Sequence, residues 1–407
     1  MSDATVAFNP YDPANLADPY PMFAQLREHE PVHTTPFGIY FVSRYDDVVR
    51  LLRDPSMSVE IENATPTLLD AMRDSVLGEN QNRRRNQSML DRDPPDHTRL
   101  RRLVSRAFTP KRIGELRGRI QELVDAKLDT AAAAGGMDLV ADLAFPLPFD
   151  VISEMLGLPD TDRDQIREWS GIVVRGLEPV ADPDLIRAIE AAGNNLADHI
   201  TEVITWKREN PDDRILTQLI AAEESGDVLS DEELVGQVLL LFVAGHETTV
   251  NLIGNGTLAL LRNPDQLALL RDEPDLIVDA VEELLRFDAP VQMTRRITMK
   301  DLEMHGTTIP SGSFTVLALA SANRDEEHFG PTAAALDLRR ADATDHVSFG
   351  GTVHYCLGAA LARMEAQVAI GSLVARFPGL AATGDPEYNG RINLRGLERL
   401  ELSLGQT

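Results

Sequence analysis

Phe349-Gly350-Gly351-Thr352-Val353-His354-Tyr355-Cys356-Leu357-Gly358 holds the one cysteine of a 407-residue chain. A lone cysteine cannot close an internal disulfide. On its own it would ordinarily be an inert, buried hydrophobe. Here it ends a glycine-rich loop, directly before the helical run Ala359-Ala360-Leu361-Ala362-Arg363-Met364-Glu365-Ala366. A thiolate at a helix N-terminus is stabilised by the macrodipole and by free backbone N–H groups. The same N–H groups tune any metal that the sulfur holds. One thiolate per chain suits one axial ligand to one haem iron.

Outward from the loop, the clearest helix lies upstream. Ser230-Asp231-Glu232-Glu233 reads as a capping box. An apolar run follows to about Leu261, before Pro264, which makes a helix of about 32 residues and roughly 48 Å. Its middle reads Ala244-Gly245-His246-Glu247-Thr248-Thr249. A mid-helix glycine costs about 1 kcal/mol relative to alanine. Ala244 and Gly245 make sense where the helix passes close to a flat ligand. The Thr248 hydroxyl can bond the Ala244 carbonyl, four residues back, and bend the helix. Glu247 beside Thr248 is an acid–alcohol pair suited to proton delivery. Read alone, the segment equally suits a glycine tolerated in a buried helix with an acid on its wet side. His246-Glu247 also opens like the zinc motif His-Glu-x-x-His, but Val250 stands where the second histidine belongs, which excludes it.

Two further segments carry paired charges. Glu283-Leu284-Leu285-Arg286 is an i,i+3 acid–base pair, a common surface feature worth about 0.2–0.5 kcal/mol. In Asp93-Pro94-Pro95-Asp96-His97-Thr98-Arg99-Leu100-Arg101 the prolines set a turn and a helix start. His97 and Arg101 then share one helix face and suit a carboxylate pair. With Arg99, Arg102 and Arg106 nearby, a solvated basic face is the alternative.

The balance of 39 basic against 65 acidic residues gives a net charge of −26. That argues against nucleic acid and anionic membrane surfaces as partners. No signal peptide or membrane anchor is visible, and the run Val238 to Gly245 is too short to span a bilayer. These features suggest a soluble, cytoplasmic monomer. The absence of linkers and repeats suggests one domain over 1–407. Helices are expected near 21–29, 46–52, 66–77, 97–108, 112–132, 147–156, 162–176, 183–207, 213–223, 265–271, 275–287 and 358–376. Strands are expected near 39–42, 291–299, 303–309, 313–319 and 392–404. The class is mainly α with minor β.

Taken together these segments resemble the cytochrome P-450 superfamily, soluble bacterial type. Its haem loop, Phe-Gly-x-Gly-x-His/Arg-x-Cys-x-Gly, matches at Phe349, Gly350, His354, Cys356 and Gly358. Thr352 replaces the usual second glycine, and Gly351 is expected to supply the missing backbone freedom. The Ala/Gly-Gly-x-Asp/Glu-Thr-Thr/Ser helix motif matches throughout. The resemblance implies the P-450 fold, with haem b between the long helix and the Cys-loop helix. It implies Cys356 as the iron ligand and Glu247 and Thr248 as the proton-delivery pair. Ala244, Gly245, Phe349 and Gly358 would lie against the cofactor, with His97, Arg101, Arg296 and His354 on its propionates and Arg295 the lesser neighbour. Glu283 and Arg286 would form a buried ion pair completed by Arg340.

The implied activity is a monooxygenase acting on a lipophilic small molecule. Electrons would come from a ferredoxin or flavodoxin-type donor with an NAD(P)H-dependent reductase, docking on Arg101, Arg102, Arg106 and Arg363. The pocket would be lined by the 56–92 loop, residues 170–195, and Val238, Leu241, Ala244, Val291, Gln292, Met293 and Leu397. Arg83-Arg84-Arg85 reads as a solvated charge run. The rival readings are a thiolate-haem peroxygenase, a nitric-oxide-reducing enzyme and a non-catalytic haem sensor. The Glu247-Thr248 pair argues against the peroxygenase.

Overall fold

The Asp231–Arg262 helix runs for 32 residues through the interior, capped by Ser230 and Glu233 as the capping box demands. A computed structural model describes residues 8–78, 87–105, 108–159, 163–224 and 229–405; Arg83 to Arg85 and Arg106 lie outside that set. The long helix is buried along most of its length, from Leu234 to Leu260. It packs on the Pro146–Leu156, Ile277–Phe287 and Ala359–Arg376 helices. Gly245 is where the first of these contacts is tightest. A Cβ there would sit 3.1 Å from Ile152. Its missing side chain therefore serves helix packing.

The minor β portion is a five-stranded sheet in the order Val32–Thr34, Tyr40–Val42, Phe314–Leu317, Thr294–Thr298, Met57–Ser58. Only the Tyr40–Val42 and Phe314–Leu317 pairing is parallel. Two expected strands divide. Residues 303–309 form a hairpin, Leu302–Met304 against Thr307–Ile309, turning at His305 and Gly306 with φ of 49° and 77°. Two successive positive φ angles match the twist of a tight hairpin. Residues 392–404 hold two short strands, Leu397–Arg399 and Glu401–Ser403. The 112–132 helix also divides, at Leu116, into Pro110–Glu115 and Arg117–Ala134.

Under the Cys-loop side lies a fully buried ion pair. Arg286 Nε donates to Glu283 Oε2 at 2.6 Å and Nη2 to Oε1 at 2.8 Å. Arg340 adds a third contact, 3.3 Å from Glu283 Oε1. The remaining Arg286 N–H groups donate to the carbonyls of Asn323, Ala333 and Ala335. The pair is thus an anchor between a helix and two loops, unlike a surface i,i+3 pair.

Glu365 is the odd carboxyl of this interior. It is buried on the Ala359–Arg376 helix, and neither oxygen meets a donor in hydrogen-bonding geometry. Burial pushes it up to about 8, and the nearby Thr249 hydroxyl offsets only part of that. A carboxyl raised on folding contributes stability that is full below its unfolded value of 4.5 and is lost as pH rises through about 8. Between pH 6 and pH 9 the native chain should therefore lose roughly 2–3 kcal/mol that Glu365→Gln does not lose. Denaturant unfolding of both proteins at the two pH values measures the difference. Parallel curves would refute it.

Candidate active site

Main-chain hydrogen bonds shape the cysteine loop first. Gly350 N donates to Val347 O at 2.8 Å and Cys356 N to Phe349 O at 3.0 Å. Gly350 takes φ +69°, which glycine supplies without strain. Thr352 takes φ +53°, while Gly351 is extended at −160°. The left-handed turn therefore falls on Thr352 itself, and the expectation for Gly351 fails. A β-branched residue there costs roughly 1–2 kcal/mol. The Thr352 hydroxyl offsets part of this by donating to the Leu52 carbonyl at 3.0 Å.

Cys356 is accessible to solvent, yet burial is the largest influence on its thiol and raises it; the Gly358 N–H and then Arg101 and Arg363 pull it back. Both hold for a sulfur at the floor of a depression, touched by solvent and surrounded by protein. The helix terminus alone does not offset the burial that raises the thiol. A metal cation at the sulfur reverses that balance.

Three segments bring basic groups to this loop. His97 and Arg101 come from the Asp96–Ser105 helix and Arg296 from the Thr294–Thr298 strand. The His97 and His354 rings lie 4.3 Å apart. Arg101 donates to the Tyr355 carbonyl at 2.6 Å. Burial first, then His97, Arg296 and Arg101, push His354 down to about 3. Burial brings Arg296 down to about 10. Among the described residues, the buried His97 has neither ring nitrogen partnered, and the Arg296 guanidinium reaches only Thr294 Oγ1 and the Arg295 carbonyl. Asp93 is close enough to favour charge on Arg296, but its carboxylate is taken by the Ser58 hydroxyl and the Val59 N–H. Two arginines and two imidazoles gathered at one loop are donors that fit the carboxylates of a haem. Arg295 turns away to Asp91.

On the long helix, Ala244 is exposed although most of its neighbours are buried. Leu240 and Thr248, four residues to either side, are part-exposed, so one stripe of the helix faces open space. The Thr248 hydroxyl donates to the Ala244 carbonyl at 3.0 Å, as expected. Val238 and Leu241 do not share that stripe. They are 0% and 7% exposed and belong to the core, because their helical phase carries them towards the neighbouring helices. Leu240 was missed, and counting fours from Ala244 would have found it. Gln292 is buried, its amide donating to the Ala289 carbonyl, while Val291 and Met293 on either side are part-exposed. The alternation of extended chain explains the difference. Leu397 is buried against the later turn at Gly254. These corrections move Val238, Leu241 and Gln292 off the open stripe; Leu397 lies instead beside the cleft on the Glu247 side.

Glu247 points to the other side. Its Oε2 accepts from Arg391 Nη1 at 2.8 Å and its Oε1 from Ser170 at 3.1 Å. His246 and Arg391 together outweigh burial and bring Glu247 down to about 2. A cleft of about 370 Å³ opens there, lined among others by Glu247, Asn251, Arg391 and Leu397. Ser170 falls at the edge of the expected 170–195 pocket stretch, but neither it nor Arg391 was expected at Glu247, since nothing in the spacing links residues 170, 247 and 391.

The docking arginines also change role. Arg363 is held by Glu282 through Nε at 2.6 Å and Nη2 at 2.8 Å, and its guanidinium lies 4.5 Å from the Phe349 ring centroid. It braces the loop and is not a free surface charge.

Comparison with known proteins agrees with this geometry. The family model for cytochrome P450 matches residues 178–387. The chain is 41% identical over 403 residues to cytochrome P450 107B1 of Saccharopolyspora erythraea, covering 97% of each. It is 43% identical over 396 residues to vitamin D(3) 25-hydroxylase of Pseudonocardia autotrophica, covering 95% of this chain and 94% of that one. The crystal structure of myxobacterial CYP267B1 with myristic acid superimposes with a TM-score of 0.89 at 36% identity, over 98% of this chain and 99% of that one. With the loop, the long helix and the buried Glu283–Arg286 pair in place, the chain belongs to the cytochrome P450 family and is a haem-dependent monooxygenase.

Proposed function

We propose that the enzyme binds haem b and uses O2 to hydroxylate or epoxidise a lipophilic small molecule. A ferredoxin or flavodoxin-type protein and its NAD(P)H-dependent reductase supply the electrons. The observation that carries this reading is the convergence on the Cys356 loop of the buried His97 and Arg296 with the half-buried Arg101 and His354. In this reading Cys356 ligates the iron, and His97, Arg101, Arg296 and His354 hold the propionates. Bound haem supplies the dioxygen redox chemistry. Phe349, Gly350 and the Arg363 brace hold the loop in shape. Ala244 keeps the long helix low where the cofactor and substrate meet. Glu247 carries protons from the cleft side of the helix, and Thr248 offers its hydroxyl on the open side.

The substrate side is apolar at Leu240, Ala244, Val291 and Met293. A secosteroid hydroxylase and a fatty-acid-bound P450 among the relatives support a bulky, water-poor substrate. No described helix is long and apolar enough to cross a membrane. The test is an optical spin-shift screen of steroids, macrolides and fatty acids with the haem-loaded protein, followed by turnover of each binder. NADPH with a ferredoxin and reductase should support product formation, and hydrogen peroxide alone should not. Equal turnover with peroxide alone would replace this reading with a peroxygenase.

A further inference from the structure

His246 precedes Glu247 and is fully buried, with 0% of its side chain exposed. The rings of Phe145, Phe149 and Phe242 surround it, with centroids 5.9, 5.7 and 5.2 Å away. Its Nδ1 lies 2.7 Å from the Phe242 carbonyl oxygen. A carbonyl only accepts, so Nδ1 carries a hydrogen. Its Nε2 lies 3.2 Å from Ser170 Oγ and 3.6 Å from Glu247 Oε1. Ser170, itself buried, lies 3.1 Å from Glu247 Oε1 and 3.2 Å from the Arg167 carbonyl.

Counting hydrogens decides the protonation state. Ser170 has one. With a neutral His246, Nε2 takes that hydrogen, and the Ser170 oxygen then faces Glu247 Oε1 as a second acceptor with no hydrogen between them. A close contact of two acceptors is unfavourable. With a protonated His246, Nε2–H donates to Ser170, Ser170 donates to Glu247, and Arg391 donates to the other oxygen. Every group is then satisfied. The charges facing this group are Glu247 on its own helix and Arg391 from the C-terminal loop. From the Arg163–Val173 helix come Arg167, over the Phe145 ring, Arg163, over the Phe149 ring, and the cleft-lining Asp164 and Glu168. Glu398 lines the cleft beyond them.

We infer that His246 is held as an imidazolium and, through the Ser170 hydroxyl, is a proton reserve for Glu247. The proton on Nε2 passes to Ser170 Oγ as the Ser170 hydrogen passes to Glu247 Oε1. An ion pair becomes a neutral imidazole and a neutral carboxylic acid. Solvent in the cleft, which Glu247 lines, restores the proton afterwards. His246 is a positioning residue, since it acts through Glu247. The inference rests on the role of Glu247 proposed above.

Nitrogen NMR of histidine-labelled holoenzyme tests it, in the reduced, carbon monoxide-bound form, which is diamagnetic. His246 is assigned by the signals that His246→Gln removes. Both its ring nitrogens should carry a hydrogen at pH 7. A ring with a bare Nε2 at pH 7 would overturn the inference. In turnover, Ser170→Ala should lower the share of NADPH electrons that reach product by about tenfold, and Ser170→Thr should restore it. If Glu247→Gln uncouples turnover but Ser170→Ala does not, the reserve alone is overturned. If Glu247→Gln changes nothing, the role of Glu247 falls and the reserve with it.

Discussion

Glu283→Ala is expected to leave little folded protein. The substitution strands the Arg286 guanidinium, which is 0% exposed, and takes an anionic partner from Arg340, 6% exposed. Breaking a buried pair by removing one partner costs about 3–5 kcal/mol. A folded domain holds about 5–15 kcal/mol in total. The loss reaches beyond the pair, because Glu283 Oε1 also accepts the Asp337 N–H, and Arg286 pins the carbonyls of Asn323, Ala333 and Ala335. Those loops lead into the cysteine loop. Glu283→Gln keeps the shape and some hydrogen bonds, and should fall between the two. Soluble yield and denaturant midpoints of the three proteins give the order. An alanine variant with the native midpoint would show that the pair is not an anchor.

Cys356→Ser is expected to remove activity without removing the fold. The loop is held by main-chain bonds from Gly350 and Cys356, by Thr352 on Leu52, and by Arg363 against Phe349. None of these uses the sulfur. Stability should therefore change by less than about 1 kcal/mol, as for substitutions that create no cavity or stranded charge. A serine hydroxyl is neutral where a thiolate is anionic and cannot push electron density onto iron in the same way. The reduced protein under carbon monoxide should lose the strongly red-shifted Soret band, and turnover should fall below detection. Retention of that band in the serine variant would remove Cys356 as the ligand.

Much of this was legible in the chain because the signals are local. The capping box at Ser230 and Glu233, the Ala244 to Thr249 run and the cysteine loop each declare themselves within ten residues. Arg340 as third partner of Glu283 was also foreseen, from the family pattern. What stayed hidden depends on helical phase or on distant contacts. Family analogy puts Val238 and Leu241 in the pocket, yet their helical phase buries them. Ser170 and Arg391 meet at Glu247 from opposite sides of it in sequence, and no spacing rule predicts that. Gly351 looked like the substitute for a missing glycine, but the strain falls on Thr352, whose hydroxyl has a partner that Gly351 lacks.

That Thr352–Leu52 bond joins residues 300 positions apart. The clasp that sets the ligand loop is therefore one of the longest-range contacts in the chain. It closes only when the early Tyr45–Arg53 helix and the late loop are both in place. Contacts of such separation form slowly compared with helices. On the ribosome, the cysteine loop emerges long after Leu52 and must find it. The clasp thereby makes the shape of that loop depend on the meeting of two distant segments.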